Sequence, residues 1–275
     1  MNAASAAGFV AGYQRDGYAF PLDVLAADAA AGYLGRIEAA ERDFAHLPLD
    51  RYLKNNVHIV LPAVDELMRL TPILDAVEAI LGPDLLVWGC TLFTKEPGSA
   101  SYISWHQDLT YWGLDSIDEV TAWLALTPAT VENGAMRFVP GSHRREIVDH
   151  RDTFDADNML TRGQEIAVEV DEDEAVDVVL AVGQMSLHHG RMFHSSGPNA
   201  SDRRRVGVAV RYIAPHVRQV VGARDYAALV RGADRYGHFV PVPSPAADFA
   251  PEALAFHDEA HAAQNSYLYV GAETA

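Results

Sequence analysis

The chain has 275 residues, of which 49% are hydrophobic and 21% charged, as expected for a globular protein with one large core. Its formal net charge of −17 disfavours nucleic acid as a partner, because phosphate binding needs a basic surface. Cys90 is the single cysteine, which excludes an internal disulfide, and no apolar segment has the length of a membrane span. The chain does not start with basic residues followed by an apolar block, so we expect no secretory signal, no membrane partner and a cytoplasmic location. Nothing in the sequence indicates the oligomeric state.

The first third of the chain, to about residue 84, is predicted to be helical. Apolar residues recur at helical spacing in segment 23–44 and again in segment 64–81. The second segment ends at Gly82-Pro83, which is a helix stop.

From Leu85 onward the chain consists of short strand-like segments separated by Gly, Pro, Asn and Asp. These segments are LLVWGCTLFTKE, VTAWLALTPAT, MRFVPGSH, EIAVEV, AVDVVLAVG, QMSLHHGRMFHS and RVGVAVRYIAP. They predict an antiparallel sandwich or barrel wrapped by helices. The polar segment 144–164 is either a lid or a surface excursion, and segment 251–267 is predicted to be a last helix. We therefore expect one domain over residues 1–275, with a helical part to about 84, a β core over about 85–220 and a C-terminal extension over about 221–275.

Candidate metal ligands begin with His106 and Asp108. Residues two apart in an extended segment point to the same side, so one ion can reach both. The stretch HHGRMFH, residues 188–194, offers three histidines as a further ligand. Two histidines and one carboxylate leave three positions open on an octahedral ion, which is the arrangement of non-haem Fe(II) oxygenases.

An iron ion with three open positions needs a ligand that chelates it and a source of electrons, and 2-oxoglutarate serves as both. Its distal carboxylate needs a fixed cation, for which Arg is suited by its planar fork. Arg205 begins the strand-like run RVGVAVRY and shares one face with Gly207, Ala209 and Arg211, while Val206, Val208, Val210 and Tyr212 form the core face. The small residues predict room for a ligand beside Arg205. Arg211 is expected either to bind an anionic substrate or to pair with an acid.

The segments WHQDLTYW, NGAMRFVPGSHR and FHSSGPNASDRRR, in this order, resemble the phytanoyl-CoA dioxygenase family, and the similarity covers about residues 85–215. The resemblance implies a mainly β fold with flanking helices, whose core is a double-stranded β-helix (a cupin-like jelly roll). It assigns iron to His106, Asp108 and His194, and the distal carboxylate of 2-oxoglutarate to Arg205. It also implies that Ser196 lies near the same carboxylate and Trp123 near the cosubstrate. Ser195 departs from the usual Gly of the family at that position.

Several neighbouring residues have competing interpretations. Arg204 is expected to point away from Arg205, and Arg203 to lie farther back on the same face. His188 and His189 lie outside the motif, so we expect neither to bind iron and one to hydrogen-bond within the barrel. The aromatic residues around the proposed metal are expected to pack in the core, with one or two touching substrate: Tyr102, Trp105, Tyr111 and Trp112. Lys95 is expected either to point into the mouth of the barrel or to be solvated.

The resemblance implies a dioxygenase that uses Fe(II), 2-oxoglutarate and O2 to hydroxylate a small organic metabolite, with release of succinate and CO2. A halogenase is disfavoured, because Asp108 occupies the position where such enzymes have a small residue. A cupin-type metal enzyme that does not use 2-oxoglutarate would not need Arg205. A non-catalytic small-molecule-binding protein remains a third alternative.

Overall fold

The computed structural model describes residues 3–268, so residues 269–275 of the predicted C-terminal extension lie outside the described residues. Helices surround the β core in this part of the chain. They are α1 (Ala3–Asp16), α2 (Ala27–Asp43), α3 (Leu49–Lys54), α4 (Pro62–Leu67), α5 (Thr71–Leu81) and α6 (Pro251–Leu268). In the described residues, no helix is both long enough and apolar enough to span a bilayer.

The strands confirm the predicted series of short segments and add several that the sequence pattern did not indicate. They are β1 (Tyr18–Asp23), β2 (Leu85–Lys95), β3 (Ile103–His106), β4 (Glu119–Ala125), β5 (Met136–Phe138), β6 (His150–Asp152), β7 (Gln164–Ile166), β8 (Val176–Val178), β9 (Gln184–His188), β10 (His194–Ser196), β11 (Arg205–Ile213), β12 (Tyr226–Arg231) and β13 (Val240–Pro241).

The segment 64–81, predicted as a single helix, is interrupted between α4 and α5. Pro72 lies in the first turn of α5, where its missing N–H costs no hydrogen bond, whereas it would break the middle of a longer helix. The end of α5 agrees with the prediction. Gly82 adopts a φ of 92°, and its N–H donates to Glu78 O at 2.8 Å.

Two sheets make up the core. The larger has the strand order β1-β9-β4-β11-β2-β12-β13, and the smaller has the order β3-β10-β5-β8. β11 lies in the middle of the larger sheet and pairs antiparallel with both β2 and β4 along nearly its whole length. Because β12 pairs with β2, the larger sheet continues beyond residue 220, the predicted end of the β core.

The two faces of β11 have different neighbours, as the alternation of its residues predicts. Val206, Val208 and Tyr212 are buried in the core cluster that includes the helices, and Tyr212 Oη donates to Met68 O at 2.8 Å. On the opposite face, Ala209 is buried in a separate cluster with Phe138 of the smaller sheet. The space between the two sheets is therefore the inside of the barrel, and the arginines of β11 lie on that side.

The polar segment 144–164 is not an irregular loop throughout. Strands β6 and β7 pair antiparallel, from His150 opposite Ile166 to Asp152 opposite Gln164. Residues Met159–Arg162, in the connection between them, line a cleft beside Asp108. This arrangement agrees with a cover over one end of the barrel rather than a detached surface excursion.

Candidate metal centre and adjoining pockets

His106 and His194 meet because their strands pair. β3 and β10 are antiparallel neighbours in which the Cα atoms of His106 and His194 lie opposite each other, and the two rings have centroids 4.0 Å apart. Asp108 follows β3 at the start of a short turn. Its Oδ1 lies 3.4 Å from His106 Nε2 and 4.0 Å from His194 Nε2. The three residues offer ligand atoms that all lie within 4.8 Å of one another, close enough for one metal ion to reach them.

The two histidine rings are held in the orientation that a metal ligand needs. His106 Nδ1 bonds to Ser104 O at 2.9 Å, and His194 Nδ1 bonds to Met192 O at 3.0 Å. A carbonyl bonded to one ring nitrogen fixes the proton there and leaves the other nitrogen as an unprotonated donor. Both Nε2 atoms therefore face Asp108, where each can offer its lone pair to a metal ion, and this set of ligand atoms fits Fe(II).

The charges at the centre also suit metal binding, which requires neutral histidines and an ionised carboxyl. Burial would raise the pKa of Asp108, but its contacts with His106 and His188 outweigh this effect and hold that pKa well below its usual value. Burial, followed by the proximity of His106, lowers the pKa of His194 well below its usual value. The centre thus combines an acid that is ionised with an imidazole that is neutral.

A short chain of polar groups supports Asp108 from behind. The hydroxyl of Thr121 lies 3.3 Å from Asp108 Oδ2 and 2.7 Å from Glu119 Oε1. Burial and then the charge of Asp108 raise the pKa of Glu119 well above its usual value. A protonated Glu119 can donate to Thr121, whose own hydroxyl proton is then directed at Asp108.

His188, the last residue of β9, lies closer to the centre than the sequence interpretation anticipated. It is buried, and its Nε2 is 3.7 Å from Asp108 Oδ2, which is too long for a hydrogen bond. Among the described residues neither ring nitrogen of His188 has a hydrogen-bond partner, whereas His189 Nδ1 accepts a hydrogen bond from Arg191 N at 2.9 Å. His188 also lacks the fixed Nδ1 contact that orients His106 and His194.

Of the three consecutive arginines at positions 203–205, Arg205 is the one that is buried. Arg203 is exposed, and Arg204 pairs with Glu41 and Glu96 on the outer side of the sheet. Arg205 is 1% exposed, and its Nη1 donates to Gly134 O and, at 3.3 Å, to Ser196 Oγ.

Arg205 lines a cavity inside the barrel together with the candidate metal ligands and Ser196. Its guanidinium lies 5.4 Å from the centre of the Trp123 ring, and within the described chain Arg205 Nε has no hydrogen-bond partner. Burial lowers the pKa of Arg205 to about 10, which leaves it charged at neutral pH. The inner cavity therefore brings together all six site residues predicted from the sequence: His106, Asp108, Trp123, His194, Ser196 and Arg205.

The room predicted beside Gly207 is filled by a side chain. A Cβ at Gly207 would clash with the ring of Trp123, so the glycine makes space for the indole and not for a ligand. Ala209 does line the inner cavity, as expected. The difference arises because Trp123 lies on the neighbouring strand directly opposite Ala209, a pairing that the sequence does not reveal.

Lys95 is a further buried cation whose position the sequence left open. It ends β2 directly opposite Arg205 and is 1% exposed. Its Nζ donates to Ser196 Oγ at 2.7 Å and to Gly197 O. Burial, followed by the nearby charge of Arg205, lowers the pKa of Lys95 to about 7. Phe93 and Lys95 are two residues apart on β2 and therefore share one face of the strand. This spacing was the sequence signal that Lys95 faces inward.

A second, outer cleft adjoins the metal centre and encloses about 870 Å³ of space, including its open mouth. Two of the four aromatic residues noted in the sequence, Tyr111 and Trp112, line this cleft. Tyr102 and Trp105 instead border a shallow depression on the other side of β3, where Trp105 stacks on Arg137 at 5.6 Å.

Comparisons with known proteins agree with this architecture. The sequence profile of phytanoyl-CoA dioxygenase (PhyH) matches residues 13–207. A probable alpha-ketoglutarate-dependent hypophosphite dioxygenase of Stutzerimonas stutzeri is 31% identical over 179 residues, which cover 62% of this chain and 60% of that protein.

Solved structures extend the similarity to almost the whole chain. The apo form of the non-heme monooxygenase ThoJ has a TM-score of 0.86 and 37% identity, covering 95% of this chain and 98% of that one. Its nickel complex has a TM-score of 0.81 and 35% identity, covering 95% and 99%. CytC3 with Fe(II) and alpha-ketoglutarate, at 24% identity and a TM-score of 0.65 over 86% of this chain and 97% of that one, supports the fold alone. The predicted jelly-roll fold and the family resemblance are confirmed, and the chain belongs to the phytanoyl-CoA dioxygenase family.

Proposed function

We propose that this protein is an Fe(II)- and 2-oxoglutarate-dependent dioxygenase that hydroxylates a small organic molecule. One observation carries the proposal: His106, Asp108 and His194 converge in the same cavity as Arg205, a buried cation that pairs with no carboxylate among the described residues. Bound iron and 2-oxoglutarate would supply the chemistry, in which O2 oxidises a C–H bond of the substrate and succinate and CO2 are released.

In this proposal His106, Asp108 and His194 hold the metal. The carbonyls of Ser104 and Met192 keep the two imidazoles in the tautomer with a free Nε2. Thr121 directs its hydroxyl at Asp108 and so restrains the carboxylate. The protein thereby presents three preset ligands and leaves the remaining positions of the metal to cosubstrate and oxygen.

Arg205 and Ser196 hold the distal carboxylate of 2-oxoglutarate, and Trp123 forms a wall beside it. A buried guanidinium without a counter-ion is costly, so an arriving carboxylate gains a charge-assisted bond in a site from which water is largely excluded. Lys95 adds a third polar contact by holding the Ser196 hydroxyl. These groups fix the orientation of the keto acid relative to the metal.

The alternative functions are less well supported. A halogenase needs an open metal position where this chain has Asp108. A cupin-type enzyme without 2-oxoglutarate gives no reason for the buried, unpaired Arg205. A non-catalytic binding protein has no use for two imidazoles and an ionised carboxylate preset close enough together for one metal ion to reach them.

We further propose that the whole chain acts as one domain, since β12 and α6 lie beyond the predicted β core and both border the site or its sheet. The partners are expected to be small molecules, with neither nucleic acid nor a membrane involved. A cytoplasmic location remains a prediction from the sequence.

The proposal is tested by anaerobic titration of the metal-free protein with Fe(II) and then with 2-oxoglutarate, while the visible charge-transfer band of the complex is recorded. We expect stoichiometric iron binding and a band that saturates with one 2-oxoglutarate per chain. Asp108→Ala is expected to abolish iron binding.

Two results would contradict the proposal. Iron binding without a band at saturating 2-oxoglutarate would favour the cupin-type enzyme. No iron binding by a folded wild-type protein would favour the non-catalytic binding protein. Thermal unfolding of each sample separates loss of the site from loss of the fold.

A further inference from the structure

Arg211 is a second interior arginine that lacks an acidic partner. Among the described residues, every arginine that is not exposed forms an ion pair with Asp or Glu except Arg205 and Arg211. This is unusual in a chain with a formal net charge of −17, in which carboxylates are abundant. The charge of Arg211 acts on the buried carboxyl groups of Asp108 and Glu119, but neither forms an ion pair with it, so its guanidinium can still pair with an anion from outside.

The side chain of Arg211 is held in place by neutral contacts. Its Nη1 donates to Thr91 Oγ1 at 2.8 Å, and its guanidinium lies 5.3 Å from the centre of the Trp112 ring. Arg211 Nε is buried and has no hydrogen-bond partner among the described residues. Stacking on an aromatic face and one hydroxyl contact leave most of the five N–H donors unused.

The groups that orient the two arginines belong to different compartments. The side-chain contacts of Arg205, which are Ser196 and Trp123, line the inner cavity and not the outer cleft. The contacts of Arg211, which are Thr91 and Trp112, line only the outer cleft. Arg205 and Arg211 are six residues apart on β11, so their Cα atoms lie about 20 Å apart along the strand. Arg211 borders both spaces, but the groups that orient it belong to the outer one.

The rest of the outer cleft suits a small anion with a flat apolar part. Lys54 and Arg162 also line it, and of its lining residues Asp108, a proposed metal ligand, is the single acid. Trp88, Trp112 and Tyr111 supply aromatic surface.

Two amides complete the wall of the cleft. Asn56 Nδ2 donates to Gln264 Oε1 at 2.7 Å, which joins the N-terminal part of the chain to α6. Asn56 has a φ of 53°, a left-handed conformation that Asn adopts more readily than most residues other than glycine. Gly89 lies beside it, where an added Cβ would be 3.6 Å from Asn56 Oδ1 and 3.8 Å from Arg211 Cδ.

We propose that the substrate is an anion and that Arg211 binds its carboxylate or a similar acidic group in the outer cleft, next to the metal centre. The inference rests on the proposed oxygenase function and adds the class of substrate. In this arrangement Arg211 and Trp112 fix the anionic end, and the opposite end of the substrate extends along the aromatic wall. Arg205 and Arg211 thus bind two different anions on one face of one strand.

The test compares two probes with the same carbon skeleton, phenylacetate and the neutral 2-phenylacetamide. Each is titrated calorimetrically into anaerobic protein loaded with Fe(II) and 2-oxoglutarate. We expect the wild type to bind phenylacetate at least about tenfold more tightly than the amide, the preference given by one charge-assisted bond. Arg211→Gln is expected to reduce this preference to less than about threefold. Arg218→Gln, which changes an exposed arginine paired with Asp115, is expected to keep it.

The same variants are titrated with 2-oxoglutarate to identify which anion Arg211 binds. We expect Arg211→Gln to retain the charge-transfer band with an affinity within about threefold of the wild type. Loss of the band in Arg211→Gln alone would overturn the inference, because Arg211 would then hold the cosubstrate. No preference for phenylacetate in the wild type, or a preference that persists in Arg211→Gln, would also overturn it. Absence of the band in the wild type would instead contradict the oxygenase function, and the probe comparison on metal-free protein would still decide the role of Arg211.

Discussion

Replacing Arg205 by Gln removes the cation that we assign to the distal carboxylate of 2-oxoglutarate. The guanidinium is 1% exposed and has no acidic partner among the described residues, so in the complex the cosubstrate would be its counter-ion. Removing one partner of a buried, hydrogen-bonded charge pair costs about 2–5 kcal/mol. At 1.4 kcal/mol per tenfold change, the dissociation constant of 2-oxoglutarate should rise by about 30-fold to about 4,000-fold.

The assay is the anaerobic titration of the Fe(II)-loaded protein with 2-oxoglutarate, read from the visible band. Arg204→Gln is the matched control, because Arg204 is the adjacent arginine but pairs with Glu41 and Glu96 outside the barrel. We expect its affinity for 2-oxoglutarate to equal that of the wild type. Arg205→Lys should lie between wild type and Arg205→Gln, since it keeps the charge and loses the planar fork.

The thermal stability of the apo-protein provides an independent check. Arg205→Gln removes an uncompensated buried charge, so the metal-free variant should be at least as stable as the wild type, although it binds 2-oxoglutarate less well. An affinity within threefold of the wild type in Arg205→Gln would refute the reasoning. The distal carboxylate would then have to be held by another cation, and Lys95 is the nearest candidate.

Three other predictions follow from the same geometry. Gly207→Ala should push the Trp123 ring into the inner cavity and weaken 2-oxoglutarate binding by at least about tenfold while iron affinity is unchanged, which the two titrations separate. His194→Gln should abolish stoichiometric iron binding, whereas His188→Gln should weaken it by no more than about 10- to 100-fold, as for a residue behind the ligands. Equal losses in both variants would show that His188 is a ligand. Burial lowers the pKa of Lys95 from 10.5 to about 7. Between these two pH values the folded apo-protein binds fewer protons than the unfolded chain, so its free energy of unfolding should rise with pH. The rise is at most about 1.4 kcal/mol per pH unit; urea unfolding from pH 7 to 9 measures it, and its persistence in Lys95→Met would exclude Lys95 as its source.

Local patterns placed His106 and Asp108 on one side of the chain and indicated a mainly β core, and the family resemblance chose His194 among three histidines and implied the jelly roll. His106 and Asp108 are two residues apart on an extended segment, so their common direction follows from strand geometry alone. The alternation of Val206, Val208 and Tyr212 likewise predicted which face of β11 packs against the helices. Such features depend on neighbours in the chain, and the backbone period of a strand fixes them before any tertiary contact is known.

Contacts between distant strands decided the surroundings of these residues. Lys95 and Arg205 are 110 positions apart and meet only because β2 and β11 pair in one register. β11 also pairs with β4, and this pairing fills the space beside Gly207 with the ring of Trp123. The small size of Gly207 therefore did not indicate an open pocket.

The outer cleft depends still more on tertiary structure. Asn56 and Gln264 come from opposite ends of the chain and bond to each other beside Arg211. Strand alternation placed Arg211 on the inner face, but it did not reveal whether an acid lay within reach. Whether an acid pairs with Arg211 depends on every element packed around its side chain. The sequence by itself therefore predicted the candidate metal ligands and the cosubstrate contacts, and the packing of distant segments decided which charges are paired and which remain available to a ligand.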